Sequence, residues 1–155
     1  MISSAQHKTN AAAAEMAPRL RAAVGKLSRR IRPTPAARGL SPTRLSVLAT
    51  VVRRGPLRIT ELARHEGLNP TMLSRVIAEL LDAGLLRRVP DPADGRASQV
   101  EATAAGRRRQ QSIRRERNDV LRDLLDELSE DQRETLEPAL AILEEIAERL
   151  KDAPR

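Results

Sequence analysis

The chain has 155 residues, which is enough for one globular domain or a small domain with helical extensions, but not for a separate large catalytic domain. It contains no cysteine, which excludes disulfides, thiolate catalysis and zinc fingers. It also lacks Phe, Trp and Tyr, so its core must be aliphatic. Because aromatic rings supply much of the buried area of a small core, this composition favours support from a second subunit.

The net charge of +7 is carried by arginine and is unevenly distributed along the chain. Residues 1–40 carry +7, residues 41–110 carry +5 and residues 111–155 carry −5. Arginine suits the recognition of phosphate and guanine, although biased codon usage could also explain its abundance. The positive field of the first two thirds predicts a polyanionic partner.

No signal peptide or membrane span is expected. The first ten residues are mostly polar, and no apolar run approaches the ~20 residues that a membrane-spanning helix requires. We therefore expect a soluble, cytoplasmic protein with no membrane partner.

The N-terminal region is predicted to be a disordered tail over residues 1–9, followed by a dimerisation helix within residues 10–35. The helix has good helix formers and a single apolar face formed by Leu20, Val24, Leu27 and Ile31. Pro18 either starts this helix or kinks it, and Pro33 and Pro35 end it.

Residues 40–103 are predicted to form a winged helix-turn-helix lobe. Ser41-Pro42 is a cap followed by proline at the first helical position, and this helix ends at Gly55-Pro56. The segment Leu57-Arg58-Ile59 is long enough for only one strand-like pairing. We expect Thr60 to cap a short helix that ends near Gly67.

Asn69-Pro70 repeats the pattern of a cap followed by proline and starts a second short helix, which ends at Gly84. Its inner stripe consists of Leu73, Val76, Ile77, Leu80 and Leu81, and its outer side bears Thr71, Ser74, Arg75 and Glu79. Two short helices separated by a tight turn, with the second bearing arginine on its outer side, are typical of a helix-turn-helix.

A hairpin and two long helices complete the chain. The hairpin joins strands over residues 85–89 and 97–103 through a loop that contains Arg96 beside Gly95. Thr103 caps a helix that runs to about Leu128, and residues 104–150 are predicted to hold the C-terminal dimerisation helices. The last helix has a Ser129/Gln132 capping box, an internal Pro138, and an apolar face formed by Leu136, Leu140, Leu143, Ile146 and Leu150.

The predicted fold is mostly α with a small β-wing, an α+β winged helix-turn-helix flanked by N- and C-terminal dimerisation helices. Over roughly residues 18–150 the chain resembles the MarR family of bacterial transcriptional regulators. The resemblance lies in residues 40–52, Ile59-Thr60-Glu61-Leu62-Ala63, residues 71–81, Gly84-Leu85-Leu86-Arg87-Arg88, Asp91-Pro92-Ala93-Asp94-Gly95-Arg96 and Thr103-Ala104-Ala105-Gly106.

This resemblance implies a homodimer that binds a palindromic operator in double-stranded DNA, usually as a repressor. It also implies release by a small anionic or phenolic effector. From the residues themselves we expect no cofactor and no metal. Carried over by position, the recognition helix would present Asn69, Pro70, Thr71, Ser74 and Arg75. Arg96 would enter the minor groove, Arg88 and Asp94 would shape the wing through an ion pair, and Ser41 and Thr60 would be candidates for contacts with the DNA backbone.

Each of these roles has a simpler alternative. Arg75 could be a solvated charge or an ion-pair partner of Glu79, and Arg96 an ordinary loop arginine. The hydroxyls of Thr71 and Ser74, in the first turn of the helix, could simply cap it. The sequence has no phosphate-binding loop, nucleophile elbow or carboxylate pair with a base, so we do not expect an enzyme. A protein-interaction module without specific DNA binding is the alternative function.

Overall fold

The computed structural model describes residues 3–94 and 97–152, and it has the order of elements that the sequence predicts. The helices are α1 (Ser3–Ile31), α2 (Pro42–Arg54), α3 (Ile59–Glu66), α4 (Pro70–Asp82), α5 (Ala104–Asp126) and α6 (Glu130–Asp152). The strands are β1 (Leu57–Arg58), β2 (Leu86–Pro90) and β3 (Ser98–Ala102). None of the helices in these two ranges is long and apolar enough to cross a membrane.

The first helix begins earlier than predicted. It starts at Ser3, so most of the segment that we expected to be a disordered tail is helical. The physical reason is the alanine-rich stretch that follows, because alanine has the highest helix propensity and lets the helix continue towards the N-terminus. Pro18 lies inside α1, which excludes the alternative that it starts the helix.

The chain divides into two compact units, Met1–Arg117 and Asn118–Arg155. The core of the first unit is aliphatic, as the composition requires. Its buried members come from α2, α3, α4 and the sheet: Val47, Leu48, Val51, Leu62, Leu73, Val76, Ile77, Leu80, Leu86, Val100 and Ala102. These side chains hold the two helices of the helix-turn-helix against the sheet.

The sheet has three antiparallel strands in the order β1-β3-β2. Leu57 pairs with Val100, and Leu86 pairs with Ala102. The short β1 is an edge strand that pairs only with β3, and this is the single strand-like pairing that the sequence predicted.

Three of the predicted helix caps in the first unit are confirmed. Ser41 Oγ accepts a hydrogen bond from Arg44 N (3.3 Å), Asn69 Oδ1 from Met72 N (2.8 Å) and Thr103 Oγ1 from Gly106 N (3.0 Å). These bonds satisfy backbone donors that the first turn of a helix leaves unpaired.

The predicted cap at Thr60 is wrong. The N-cap of α3 is Arg58, and its backbone N–H donates to Glu61 Oε2 (2.9 Å). The helix starts two residues earlier because Glu61, in its first turn, accepts this hydrogen bond. The negative charge of Glu61 is also favourable near the N-terminus of a helix.

The second unit contains the end of α5 and all of α6. The predicted capping box is confirmed: Ser129 N donates to Gln132 Oε1 (3.0 Å), and Gln132 N donates to Ser129 Oγ (3.3 Å). Pro138 lies within α6. Most of the apolar side chains of this helix remain exposed, as described below.

Candidate DNA-binding surface

Helices α3 and α4 form a helix-turn-helix in which each helix buries one face. Leu62 is the buried residue of α3, and α4 buries Leu73, Val76, Ile77 and Leu80. Gly67 ends α3 in the left-handed conformation (φ 62°, ψ 30°), which glycine adopts without a steric penalty. The apolar stripe of α4 therefore fixes which side of this helix faces outwards.

The outward side of α4 bears the predicted recognition residues. Thr71, Ser74 and Arg75 are all exposed, and the Arg75 side chain is 84% accessible. Their spacing of three and four residues places them on one face in the first two turns. Pro70 is also exposed, whereas the side-chain oxygen of Asn69 is occupied by its capping bond.

Glu79, one turn further along α4, lies between two arginines. Its Oε1 is 3.5 Å from Arg75 Nε, and its Oε2 pairs with Arg44 Nε of α2. The Arg75–Glu79 pair was the sequence-based alternative for Arg75. No sequence pattern indicated the contact with Arg44, which is 35 positions away.

The wing is the hairpin of β2 and β3. Its predicted tip residue, Arg96, lies outside the described residues, as does Gly95. The described parts of the loop show how its base is closed: Asp91 N donates to Ala97 O (3.1 Å), and Ala97 N donates to Asp94 O (2.9 Å).

Asp91 is a functional residue that sequence reasoning missed. Its carboxylate is buried, pairs with Arg58 of β1, and accepts hydrogen bonds from Ala93 N (2.8 Å) and Gln99 Nε2 (3.2 Å). The hydrogen bond from Arg58, followed by the one from Ala93, lowers the pKa of Asp91 to about 2. Asp91-Pro92 at a strand end was the available signal, because aspartate in that position often bonds to the backbone two residues on.

Arg88 and Asp94, the two residues predicted to shape the wing, both take part in contacts within it. Arg88 Nη1 donates to Ser98 Oγ (3.2 Å) across the two strands, and Asp94 contributes its backbone carbonyl to the loop. The ion pair between Arg88 and Asp94 stays a prediction. The pair between Arg58 and the buried Asp91 carboxylate ties the wing loop to β1.

The two candidates for DNA-backbone contacts lie at the starts of neighbouring helices. Ser41 is exposed, with its hydroxyl engaged in capping α2, and Thr60 is exposed in the first turn of α3. Their contact with DNA stays a prediction.

A cavity of about 410 Å³ lies elsewhere in the first unit, among α1, α2 and α5. It is lined by Ser28, Ile31, Arg32, Pro42, Leu45, Ser46, Ala49, Gln110 and Arg117. Two of these residues are arginines and none is acidic. Arg117 Nε is buried without a hydrogen-bond partner among the described residues, and the two arginines make the lining of the cavity positively charged.

Comparisons with known proteins identify the family. Residues 40–98 match the model of the MarR family. An uncharacterised HTH-type transcriptional regulator of Mycobacterium bovis is 34% identical over 130 residues, which cover 84% of this chain and 91% of the relative.

Solved structures agree with this assignment. A putative transcriptional regulator of Pseudomonas aeruginosa PA01 is 30% identical with a TM-score of 0.74, over 86% of this chain and 94% of the other. A transcriptional regulator of Thermotoga maritima shares the fold at 22% identity, with a TM-score of 0.74 over 90% and 99% of the two chains. The exposed face of α4, the wing and these likenesses agree, and the chain belongs to the MarR family of DNA-binding HTH-type transcriptional regulators.

Proposed function

We propose that this regulator is a homodimer that represses transcription by binding a palindromic operator. The observation that supports this most directly is the exposed face of α4, on which Thr71, Ser74 and Arg75 lie together at the helix N-terminus. In a helix-turn-helix this end of the second helix enters the major groove. Hydroxyl and guanidinium groups there contact base edges and phosphates.

The wing would add a second contact. Arg96 would enter the minor groove, where A·T-rich segments concentrate negative potential. The pair between Arg58 and the buried Asp91 carboxylate supports this role because it holds the base of the loop against the sheet.

A second copy of the chain would cover the apolar faces of the terminal helices. On α1, Leu20 is half-buried, and Val24 and Leu27 are 51% and 52% exposed. On α6, Leu136 is half-buried, and the others are exposed to 50% (Leu140), 36% (Leu143), 38% (Ile146) and 69% (Leu150). A two-fold dimer would present two recognition helices to half-sites about one helical turn, ~34 Å, apart.

Release from the operator would follow from binding of a small anion in the cavity among α1, α2 and α5. Arg32 and Arg117 line this cavity and would provide two cationic side chains for the anion. Such an effector acts only through a difference in its affinity for the DNA-bound and free dimers. With no Phe, Trp or Tyr in the chain, charge rather than ring stacking would select the ligand.

Selection of bound sequences from a random duplex pool, followed by titration at several salt concentrations, tests the DNA proposal. We expect a palindrome with half-sites about one turn apart, and a log–log salt slope of about −0.9 for each neutralised phosphate. Salt-insensitive or absent binding would instead favour a protein-interaction module. A selected site without two-fold symmetry would exclude the dimeric arrangement.

The effector proposal is tested on the selected operator with benzoate as an anionic probe and benzamide as its neutral counterpart. Benzoate should lower operator affinity in the parent protein and have little effect on Arg117→Gln, while benzamide should act on neither. A response to both probes, or an unchanged benzoate response in the variant, would remove this cavity from the mechanism.

A further inference from the structure

Glu79 joins α2 to the exposed arginine of the recognition helix. We propose that Glu79 is a positioning residue that aims Arg75 at a guanine edge, and that the three residues Arg44, Glu79 and Arg75 set the base preference of α4. This inference rests on the proposed binding of α4 in the major groove, and it names which side chain reads a base there.

The geometry leaves the reading end of Arg75 available. Glu79 Oε1 faces Arg75 Nε at 3.5 Å, so the carboxylate engages the near side of the guanidinium. This contact is made through Nε, on a side chain that is 84% exposed, so it leaves the two terminal nitrogens of the guanidinium to other partners. A pair of parallel N–H donors is what the O6 and N7 atoms of guanine accept.

Arg44 fixes the carboxylate in turn. Its Nε pairs with Glu79 Oε2, its Nη1 donates to Gly39 O (3.2 Å), and about a third of each of the two paired side chains remains exposed. Glu79 is thus held from α2 on one oxygen and offers the other to Arg75. The positive charge of Arg44 also offsets the repulsion between Glu79 and nearby phosphates.

Helix stability does not account for this arrangement. An ion pair at i,i+4 stabilises a helix less when the base precedes the acid, which is the order of Arg75 and Glu79. Glu79 also lies in the last turn of α4, where the helix dipole disfavours a negative charge. A carboxylate that is unfavourable for its own helix is better explained by the side chain it orients.

Orientation matters for reading a base and much less for contacting a phosphate. A free arginine side chain loses conformational entropy when it docks on DNA, and partial ordering before binding lowers that entropy cost. A phosphate accepts from many directions, whereas the guanine edge accepts the fork in one plane. The inference therefore predicts that loss of Glu79 affects discrimination between bases more than overall affinity.

The experiment measures a specificity ratio, the affinity for the selected operator divided by that for an operator with one G·C pair replaced by A·T. The replaced G·C pair is the one at which the Arg75→Lys variant no longer distinguishes G·C from A·T. We expect Glu79→Gln to lower this ratio at least about fivefold. Affinity for unrelated duplex should stay the same or rise, because a negative charge is removed.

Two further variants make the result specific. Asp82→Asn removes a charge from the same helix and should leave the ratio unchanged. In the double variant Arg75→Lys/Glu79→Gln, the second change should add little to the first, because the two residues act as a unit.

The outcomes separate the inference from the proposed function. A parent protein without sequence preference overturns both. A selective parent whose ratio is unchanged by Glu79→Gln overturns the inference alone. A Glu79→Gln variant that melts at a lower temperature and loses affinity equally for all duplexes also overturns it, because Glu79 is then only a tie between α2 and α4.

Discussion

Asp91 shows how one side chain can secure a binding element. Its buried carboxylate accepts hydrogen bonds from a side chain of β1, a backbone amide of its own loop and a side chain of β3. These contacts stabilise the ionised form and therefore lower its pKa. The stability of the wing loop therefore depends on whether the Asp91 carboxyl is protonated.

We expect Asp91→Asn to lower the melting temperature at neutral pH and to remove a pH-dependent part of the stability. The pKa of Asp91 falls from its ordinary 3.8 to about 2 in the folded protein. The unfolded chain thus takes up the proton first, and the stabilisation is complete above about pH 4 and lost as the pH falls towards about 2. Thermal melts of the parent and the variant between pH 7 and 2 should converge over this window.

The control for this prediction is Asp82→Asn, at an exposed position near the end of α4. This variant should melt close to the parent temperature at every pH. If the Asp91→Asn melts stay parallel to those of the parent down to pH 2, the carboxylate does not stabilise the wing.

Arg96 is the residue on which the proposed minor-groove contact depends. We expect Arg96→Ala to weaken binding mainly to operators with A·T-rich flanks, because a narrow minor groove attracts the guanidinium most strongly. Titration against matched operators with A·T-rich and G·C-rich flanks measures this difference. Equal affinities of parent and variant for the A·T-rich operator would show that the wing tip does not contribute.

At the scale of elements, the close approach of α5 to the turn after α4 orders the lobe. Thr103 N donates to Leu85 O (3.0 Å), and Thr103 Oγ1 donates to Gly84 O (2.7 Å). Gly106 follows one turn later, and a Cβ at this position would lie 2.1 Å from Leu85 O. Only glycine allows the helix to start this close to the backbone.

Gly106→Ala should therefore destabilise the protein by about 1–3 kcal/mol, since either the helix or the turn must move. Gly25→Ala is the matched control, because the same change within α1 meets only the tip of the Arg29 side chain at 3.4 Å. That control should be neutral or stabilising by up to about 1 kcal/mol. Chemical denaturation measures both, and equal effects would show that the lobe relaxes around the added methyl group.

At the scale of the whole molecule, the unevenly distributed charge and the uncovered apolar faces call for two kinds of partner. The net positive charge of residues 1–110 suits DNA, and the apolar residues of α1 and α6 suit a second copy. The helix-turn-helix alone would contact one half-site. By joining two copies of the chain, the terminal helices would allow the protein to bind two half-sites.

We expect Leu143→Asp to weaken the dimer at least about tenfold, because it places a charge in the centre of the proposed apolar interface. Ala141→Asp introduces the same side chain on the opposite side of α6 and should leave the dimer intact. Sedimentation over a range of concentrations distinguishes these outcomes. A parent protein that is monomeric, or a Leu143→Asp variant as dimeric as the parent, would contradict this interface.

The sequence by itself determined the features that depend on neighbouring residues. The caps at Ser41, Asn69 and Thr103, the stripe of α4 and the order of elements could be predicted, because capping bonds span three residues and helical faces repeat every three or four. It also indicated Thr71, Ser74 and Arg75 as one exposed face. The Thr60 cap was wrong because a strand residue and a glutamate in the first turn formed the cap together.

Only the tertiary structure decided which distant groups meet. Arg44 and Glu79 are 35 positions apart, and Arg58 and Asp91 are 33 apart. The carbonyl that excludes a side chain at Gly106 belongs to Leu85, in the turn after α4. Such contacts depend on how the aliphatic core packs the helices against the sheet, and no local pattern encodes that distance. The Arg58–Asp91 and Arg44–Glu79 pairs were therefore hidden in the sequence, although the exposed face of α4 was not.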